Sequence, residues 1–168
     1  MSLALVHSRA RAGVHAPPVR VAVHLSGGLP STQIVGLPAT AVRESRDRVR
    51  AAILCAQFEY PQRRITINLA PADLPKDGGR FDLPIALGIL AASGQVDASR
   101  LAGYEFAGEL SLSGELRPVR GALATSLALQ TQQIDAQLVL PPGSAEEAAL
   151  VPAARVVRAR HLLDVVRA

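Results

Sequence analysis

Short strand-like segments and helical segments are interleaved along the whole chain, and this order constrains the fold more than any other feature. Residues 19–25 (VRVAVHL) and 64–70 (RITINLA) carry an apolar side chain at every second position, as half-buried strands do. Residues 38–58 instead repeat apolar side chains at the spacing of an amphipathic helix. Because strands and helices do not alternate strictly, the sequence predicts a mixed sheet with helices, of the α+β class with α/β-like layers.

Similar patterns predict the other elements. Further strands are expected at residues 3–6, 33–37, 104–110, 115–118, 137–140 and 155–157, and further helices at residues 83–92, 121–130, 145–150 and 161–167. Asp82 is well placed to cap the helix that follows it. The last apolar pattern ends without a Gly or Pro stop signal, so we expect residues 1–168 to form a single domain that is part of a longer protein.

Composition narrows the class of protein. A length of 168 residues fits one domain, and an aromatic content of 3% means that the core must be aliphatic. The single cysteine, Cys55, excludes an internal disulfide bond and suits a reducing compartment. The longest apolar run, residues 83–92, is far shorter than the roughly 20 residues that span a bilayer. We therefore expect a cytoplasmic protein without a membrane partner.

The charge pattern leaves two interpretations open. The net charge is +4, and Lys76 is the only lysine beside seventeen arginines. This excess is typical of an ordinary solvated surface, while its clustering in space would indicate a surface that faces nucleic acid. On the helix at residues 38–58, Arg43, Asp47 and Arg50 share one flank and Arg48 lies on the other side. We interpret that flank as mainly a solvated helix surface.

Several catalytic motifs are absent from the sequence. It has no GxxxxGK[ST] phosphate loop, no GxSxG elbow and no HExxH zinc helix, so we expect neither nucleotide binding nor those hydrolase chemistries in this chain. The four histidines are isolated along the sequence, and we expect no metal site. The most distinctive polar segment is the loop that contains Lys76, Asp77, Arg80 and Asp82, which we take as a candidate functional loop.

Two blocks resemble the Lon peptidase domain. Residues 74–80 (LPKDGGR) resemble the Lon string PKDGPS, with Arg80 where the nucleophilic serine belongs. Residues 108–119 (GELSLSGELRPV) resemble the Lon string GEITLRGQVLPI, and counting onward places Leu123 where the family has its lysine. A Ser-Lys dyad needs a nucleophile and an amine base within hydrogen-bond reach. A guanidinium supplies neither, so the resemblance implies a non-catalytic domain.

A closer resemblance covers nearly the whole chain. Residues 34–38 (IVGLP), 42–53 (VRESRDRVRAAI) and 67–76 (INLAPADLPK) resemble the N-terminal domain of the ComM/YifB family of magnesium-chelatase-like AAA+ proteins. The resemblance implies a fold like the Lon protease domain, also called ribosomal S5 domain 2-like. It also implies a following AAA+ module that uses ATP and magnesium, assembly into a hexamer, and a parent helicase that drives branch migration of DNA in natural transformation.

Three hypotheses follow. The first is an accessory module that helps a ring ATPase assemble and touch DNA. The second is a repurposed enzyme that uses the Lys76 loop, and the third is a protein-interaction scaffold that never contacts DNA. The arginines expected to contact DNA are Arg43, Arg50, Arg80 and Arg117.

Two stability changes are expected in the polar loop. Arg80→Ala should change the free energy of unfolding by less than about 0.5 kcal/mol. Asp82→Ala should lower it by about 0.5–2 kcal/mol, because a helix cap is lost.

Overall fold

The fold combines nine strands and five α-helices within the residues that the computed structural model describes, 2–71 and 79–167. The strands are β1 (Ser2–Arg9), β2 (Pro18–Ser26), β3 (Ser31–Val35), β4 (Arg64–Ala70), β5 (Tyr104–Phe106), β6 (Glu109–Leu110), β7 (Leu116–Arg117), β8 (Gln137–Leu140) and β9 (Val156–Arg158). The helices are α1 (Ala39–Cys55), α2 (Asp82–Ala92), α3 (Ala122–Thr131), α4 (Ser144–Ala148) and α5 (Leu162–Arg167).

The largest sheet has the strand order β1-β2-β4-β3. Its first two pairings are antiparallel, and β3 joins β4 in parallel. A second sheet of three parallel strands has the order β5-β8-β9, and β6 and β7 form a small antiparallel pair. The mixed α+β class expected from the sequence is therefore confirmed.

The core lies between one face of the largest sheet and the helices α1 and α2. The inward side chains of β2 and β4 are fully buried, among them Val21, Val23, Ile65 and Ile67. Every residue of α2 is buried, because this helix is apolar on all sides apart from Asp82 and packs against both the sheet and α1. The amphipathic helix α1 buries Val49, Ala52 and Ile53 and leaves its arginine-bearing flank exposed, as its sequence pattern predicts.

A close approach of α2 to β2 yields a first prediction, at Gly88. A Cβ atom at this position would lie 2.5 Å from Cγ2 of Val23 and 3.6 Å from Cγ2 of Val6. Alanine favours helix over glycine by about 1 kcal/mol, but overpacking a tight core costs about 1–3 kcal/mol. We expect Gly88→Ala to destabilise the protein by about 1 kcal/mol in urea denaturation, whereas a net stabilisation would show that the helix and the sheet separate freely.

The elements expected from the sequence differ from the structure mainly in the second half of the chain. A continuous strand at residues 104–110 was expected, but it breaks at Ala107 and Gly108. The Gly108 N–H donates to the Arg80 carbonyl, and the Gly108 carbonyl accepts from the Leu83 N–H, so this segment pairs with the start of α2. A 3₁₀ helix at Ala98–Leu101 has no counterpart in the expected elements. None of the helices in the described ranges is long and apolar enough to cross a membrane.

Candidate functional site

The Asp82 carboxylate, in the first turn of α2, accepts several hydrogen bonds. Asp82 is fully buried. One oxygen accepts from Ser45 Oγ at 2.7 Å, and the other accepts from Arg48 Nε at 2.7 Å and from the Leu110 backbone N–H at 3.1 Å. Arg48 Nη2 adds a longer bond of 3.3 Å. The carboxylate therefore ties together α1, α2 and β6.

Burial and hydrogen bonding act in opposite directions on this ion pair. Burial raises the pKa of Asp82 by more than the donors from Arg48, Ser45 and Leu110 lower it. For Arg48, burial lowers the pKa, but the hydrogen bond and charge of Asp82, together with the charges of Glu109 and Glu44, more than offset it, so the pKa of Arg48 is raised. The difference arises because the Asp82 side chain has no exposure, whereas the Arg48 side chain is 21% exposed.

The expected helix-capping role of Asp82 is wrong. The N-cap of α2 is Phe81, Asp82 is already helical, and no side chain caps this helix end. The Asp82 side chain turns away from its own helix terminus and toward α1. The helical pattern of α1 did set Arg48 apart from Arg43 and Arg50. It could not show that the partner of Arg48 is Asp82.

Arg80 lies where the Lon resemblance expects a nucleophile, and the structure buries it. It is 4% exposed. Its Nε donates to the Arg9 carbonyl at 3.0 Å, and its Nη1 donates to the Arg120 carbonyl at 2.6 Å. The side chain thus bridges the end of β1 and the segment before α3.

These contacts overturn two expectations about Arg80. We now expect its truncation to be costly and not nearly neutral, because two carbonyl acceptors would lose a charged donor. A guanidinium enclosed in this way is also not displayed for DNA phosphates. Arg80 and Asp82 turn to separate partners, so the structure does not bring these two together as a joint site. Lys76 and Asp77 lie outside the described residues.

A second buried ion pair adjoins Arg80 and was missed in the sequence. Arg9 donates through Nε to Glu105 at 2.7 Å and through Nη1 to the Ala16 carbonyl at 2.9 Å. Both partners are buried, and Arg9 also supplies the carbonyl that accepts from Arg80. No local pattern could reveal this pair, because its members are 96 residues apart in the chain.

The other three predicted DNA-contacting arginines are exposed. Arg43 and Arg50 lie two turns apart on α1, or about 10 Å along the helix axis. Arg50 also lies over the Tyr60 ring, with its guanidinium carbon 5.7 Å from the ring centroid. Arg117 lies on β7, directly paired with Glu109 of β6. No group of three or more side chains suited to hold a metal ion occurs among the residues that the structure describes.

Comparison with known proteins relates this arrangement to one family. The family model described as subunit ChlI of Mg-chelatase matches residues 21–144. The chain is 55% identical over 167 residues to the competence protein ComM of Haemophilus influenzae. The aligned region covers 99% of this chain and 32% of that protein. The chain belongs to the ComM/YifB family of magnesium-chelatase-like proteins.

Two further relatives give the same picture. The uncharacterized protein YifB of Salmonella typhimurium is 50% identical over 165 residues, covering 98% of this chain and 32% of that protein. The uncharacterized protein Rv2897c of Mycobacterium tuberculosis is 40% identical over 151 residues, covering 90% of this chain and 30% of that protein. The chain therefore spans about a third of the length of the curated relatives it matches.

Within this ComM/YifB chain, the two positions that the resemblance to Lon assigns to the dyad, Arg80 and Leu123, are linked through the segment before α3. The Arg80 guanidinium bonds the Arg120 carbonyl, and α3, which carries Leu123, begins two residues later. Leu123 is 38% exposed and offers only a hydrocarbon side chain. The two positions thus carry a buried guanidinium and an aliphatic group, where the resemblance to Lon expects a hydroxyl and an amine.

Proposed function

We propose that this chain is a non-catalytic, Lon-like accessory domain of a larger magnesium-chelatase-like AAA+ ATPase. The observation that carries the proposal is the buried Arg80, whose guanidinium holds two backbone carbonyls at the place where a nucleophile would stand. A buried arginine that bridges two segments in this way has a structural role and not a catalytic one, because a guanidinium is neither a nucleophile nor a base at physiological pH.

The proposed parent protein is a hexameric helicase that uses ATP and magnesium in a module outside this chain. The relative from H. influenzae is named as a competence protein, which supports a link to incoming DNA. In this proposal the domain serves assembly of the ring and contacts DNA. The exposed arginines Arg43, Arg50 and Arg117 are its candidate phosphate contacts. Arg80 is not among them, because it is buried.

A peptidase assay tests the non-catalytic part of the proposal. We expect no cleavage of an unfolded protein substrate and no labelling by a serine-directed phosphonate probe, because Arg80 and Leu123 occupy the dyad positions. An active Lon peptidase in the same reactions is the positive control. Reproducible cleavage, or labelling that maps to one serine of this chain, would refute the proposal.

Fluorescence anisotropy tests the DNA contact. Arginine–phosphate contacts predict binding to duplex and branched DNA that is insensitive to sequence and steeply weakened by salt, with a dissociation constant of about 10⁻⁴–10⁻⁶ M at physiological salt. The chain contains 3% aromatic residues, too few for an extended stacking platform. If no binding occurs at about 50 mM salt, the domain is a protein-interaction scaffold and DNA contact belongs to the rest of the parent protein.

A further inference from the structure

The largest sheet has one face that none of the described elements covers. The inward face of β1, β2, β3 and β4 packs into the core, while the side chains at alternate positions point the other way. On the edge strands these outward side chains include Leu3, Leu5 and Val35, which are 62%, 45% and 44% exposed. On the central strands Arg20, Arg64 and Asn68 are exposed, and Ala22, His24 and Thr66 are partly exposed.

The strand register assembles the outward side chains into cross-strand rows, which together we name the open face. Two rows lie in the middle of the face: Leu3–His24–Thr66–Gln33 and Leu5–Ala22–Asn68–Val35. At one end of the face, Arg20 lies between His7 and Ala70. At the other end, Arg64 lies between Ser26 and Ser31. Arg20 and Arg64 are separated by six positions along the strand direction, or about 20 Å. The interval between them carries hydroxyl, amide and imidazole groups.

The open face contains no carboxylate. None of the four strands has an Asp or Glu, and Glu44 is the first acidic residue of the whole chain. The strands contribute Arg20, Arg64 and the outward histidines His7 and His24. On α1, by contrast, the exposed arginines share their helix with Glu44 and Asp47. The positive charge of the open face is therefore less neutralised by its neighbours than that of α1.

The chemistry of the open face fits a phosphate backbone. Arginines supply charged donors, and the hydroxyl and amide groups of Thr66, Asn68 and Gln33 supply neutral ones, which is the set that contacts phosphate and sugar oxygens in DNA complexes. No outward strand position carries Phe, Tyr or Trp, and the only aromatic groups on the face are the imidazoles of His7 and His24, so the face offers little on which unpaired bases would stack. Both features favour a duplex, whose bases are already stacked, over a single strand.

We propose that the open face is the principal duplex-DNA-binding surface of this domain, with Arg20 and Arg64 as its charged phosphate contacts. The inference rests on the proposed DNA contact of the domain and names the surface that makes it. DNA lies across the sheet, on the side opposite α1 and α2, and α1 contributes less to the affinity.

Matched arginine pairs test the proposal by anisotropy with a short fluorescein-labelled duplex. The open-face variant is Arg20→Ser/Arg64→Ser, the rival is Arg43→Ser/Arg50→Ser, and the control is Arg160→Ser/Arg167→Ser near α5. Each removes two positive charges from exposed positions. We expect the open-face variant to lose affinity by about tenfold or more at about 50 mM salt and to flatten the salt slope by about 1.8. The control should change both by much less, and thermal melts should show all variants folded.

Each other outcome is decisive. If the wild-type chain fails to bind duplex DNA at the lowest salt, the proposed DNA contact fails and this inference falls with it. If the wild type binds but the open-face pair loses no more than the control pair, or less than the α1 pair, DNA contact stands and the open face is excluded as its principal site. If Leu3→Ser/Leu5→Ser alters self-association in sedimentation while the open-face pair leaves DNA affinity intact, the face is an interface between copies of the chain.

Discussion

Replacing Asp82 by alanine should lower the free energy of unfolding by about 3 kcal/mol, a large share of the stability of a domain of this size. The carboxylate is fully buried and accepts from Ser45, Arg48 and the Leu110 N–H. Breaking a buried ion pair by removing one partner typically costs about 3–5 kcal/mol. The lower end applies because the Arg48 side chain is 21% exposed and water can solvate it after the substitution.

Glu44 provides the matched control on the same arginine. Its carboxylate lies 3.7 Å from Arg48 Nη1 one helical turn away, and its side chain is 70% exposed. An exposed pair of this kind contributes little, so we expect Glu44→Ala to cost less than about 0.5 kcal/mol. Urea denaturation of both variants measures the difference. Equal effects would show that Arg48 is held by its general environment and not by Asp82.

The same carboxylate predicts an unusual pH dependence. Burial raises the pKa of Asp82 in the folded state, so the folded protein binds this proton more tightly than the unfolded chain does. The extra stability that comes from this tighter proton binding is then complete below the ordinary aspartate pKa of about 4 and is lost as pH rises through the folded-state value. We expect the stability of wild type relative to Asp82→Asn to fall as the pH rises above about 4. A rise instead of a fall would mean that the donors outweigh burial.

Elements with a strong periodic pattern could be predicted from the sequence, and side-chain partners could not. The alternation in β2 and β4 and the apolar stripe of α1 fall where expected, because each segment reports its own burial through its own residues. The break at Gly108 could not be anticipated, since it arises from pairing with Arg80 and Leu83, which lie more than twenty positions away.

The candidate loop illustrates the same limit. Position alone indicated a capping role for Asp82, because a short acidic residue before an apolar helix is typical of an N-cap. Tertiary packing changed that role, since Arg48 and Ser45 approach from α1 and the helix starts one residue earlier than expected. Arg80 looked like a loop residue because two glycines precede it and Asp82 lies two positions after it. Its partners are the carbonyl groups of Arg9 and Arg120, which carry no sequence signal.

Arg80→Ala should lower the free energy of unfolding by about 2–4 kcal/mol. The substitution leaves the Arg9 and Arg120 carbonyls without their charged donor, and hydrogen bonds to charged groups contribute about 1.5–3 kcal/mol each. It also empties the space of a side chain that is 4% exposed. The alternative, a flexible loop arginine, predicts a change below about 0.5 kcal/mol, so denaturant titration separates the two descriptions clearly.

Two further variants identify the cause of the loss. Arg80→Lys keeps a positive charge but cannot direct two donors to carbonyl groups on separate segments as a planar guanidinium does, so we expect it to recover less than half of the loss. Arg43→Ala, an exposed arginine on α1, should stay within about 0.5 kcal/mol of wild type. Full recovery by lysine would show that charge alone matters at this position. In that case Arg80 would stabilise the fold through its positive charge and not through the two hydrogen bonds to backbone carbonyls that the geometry indicates.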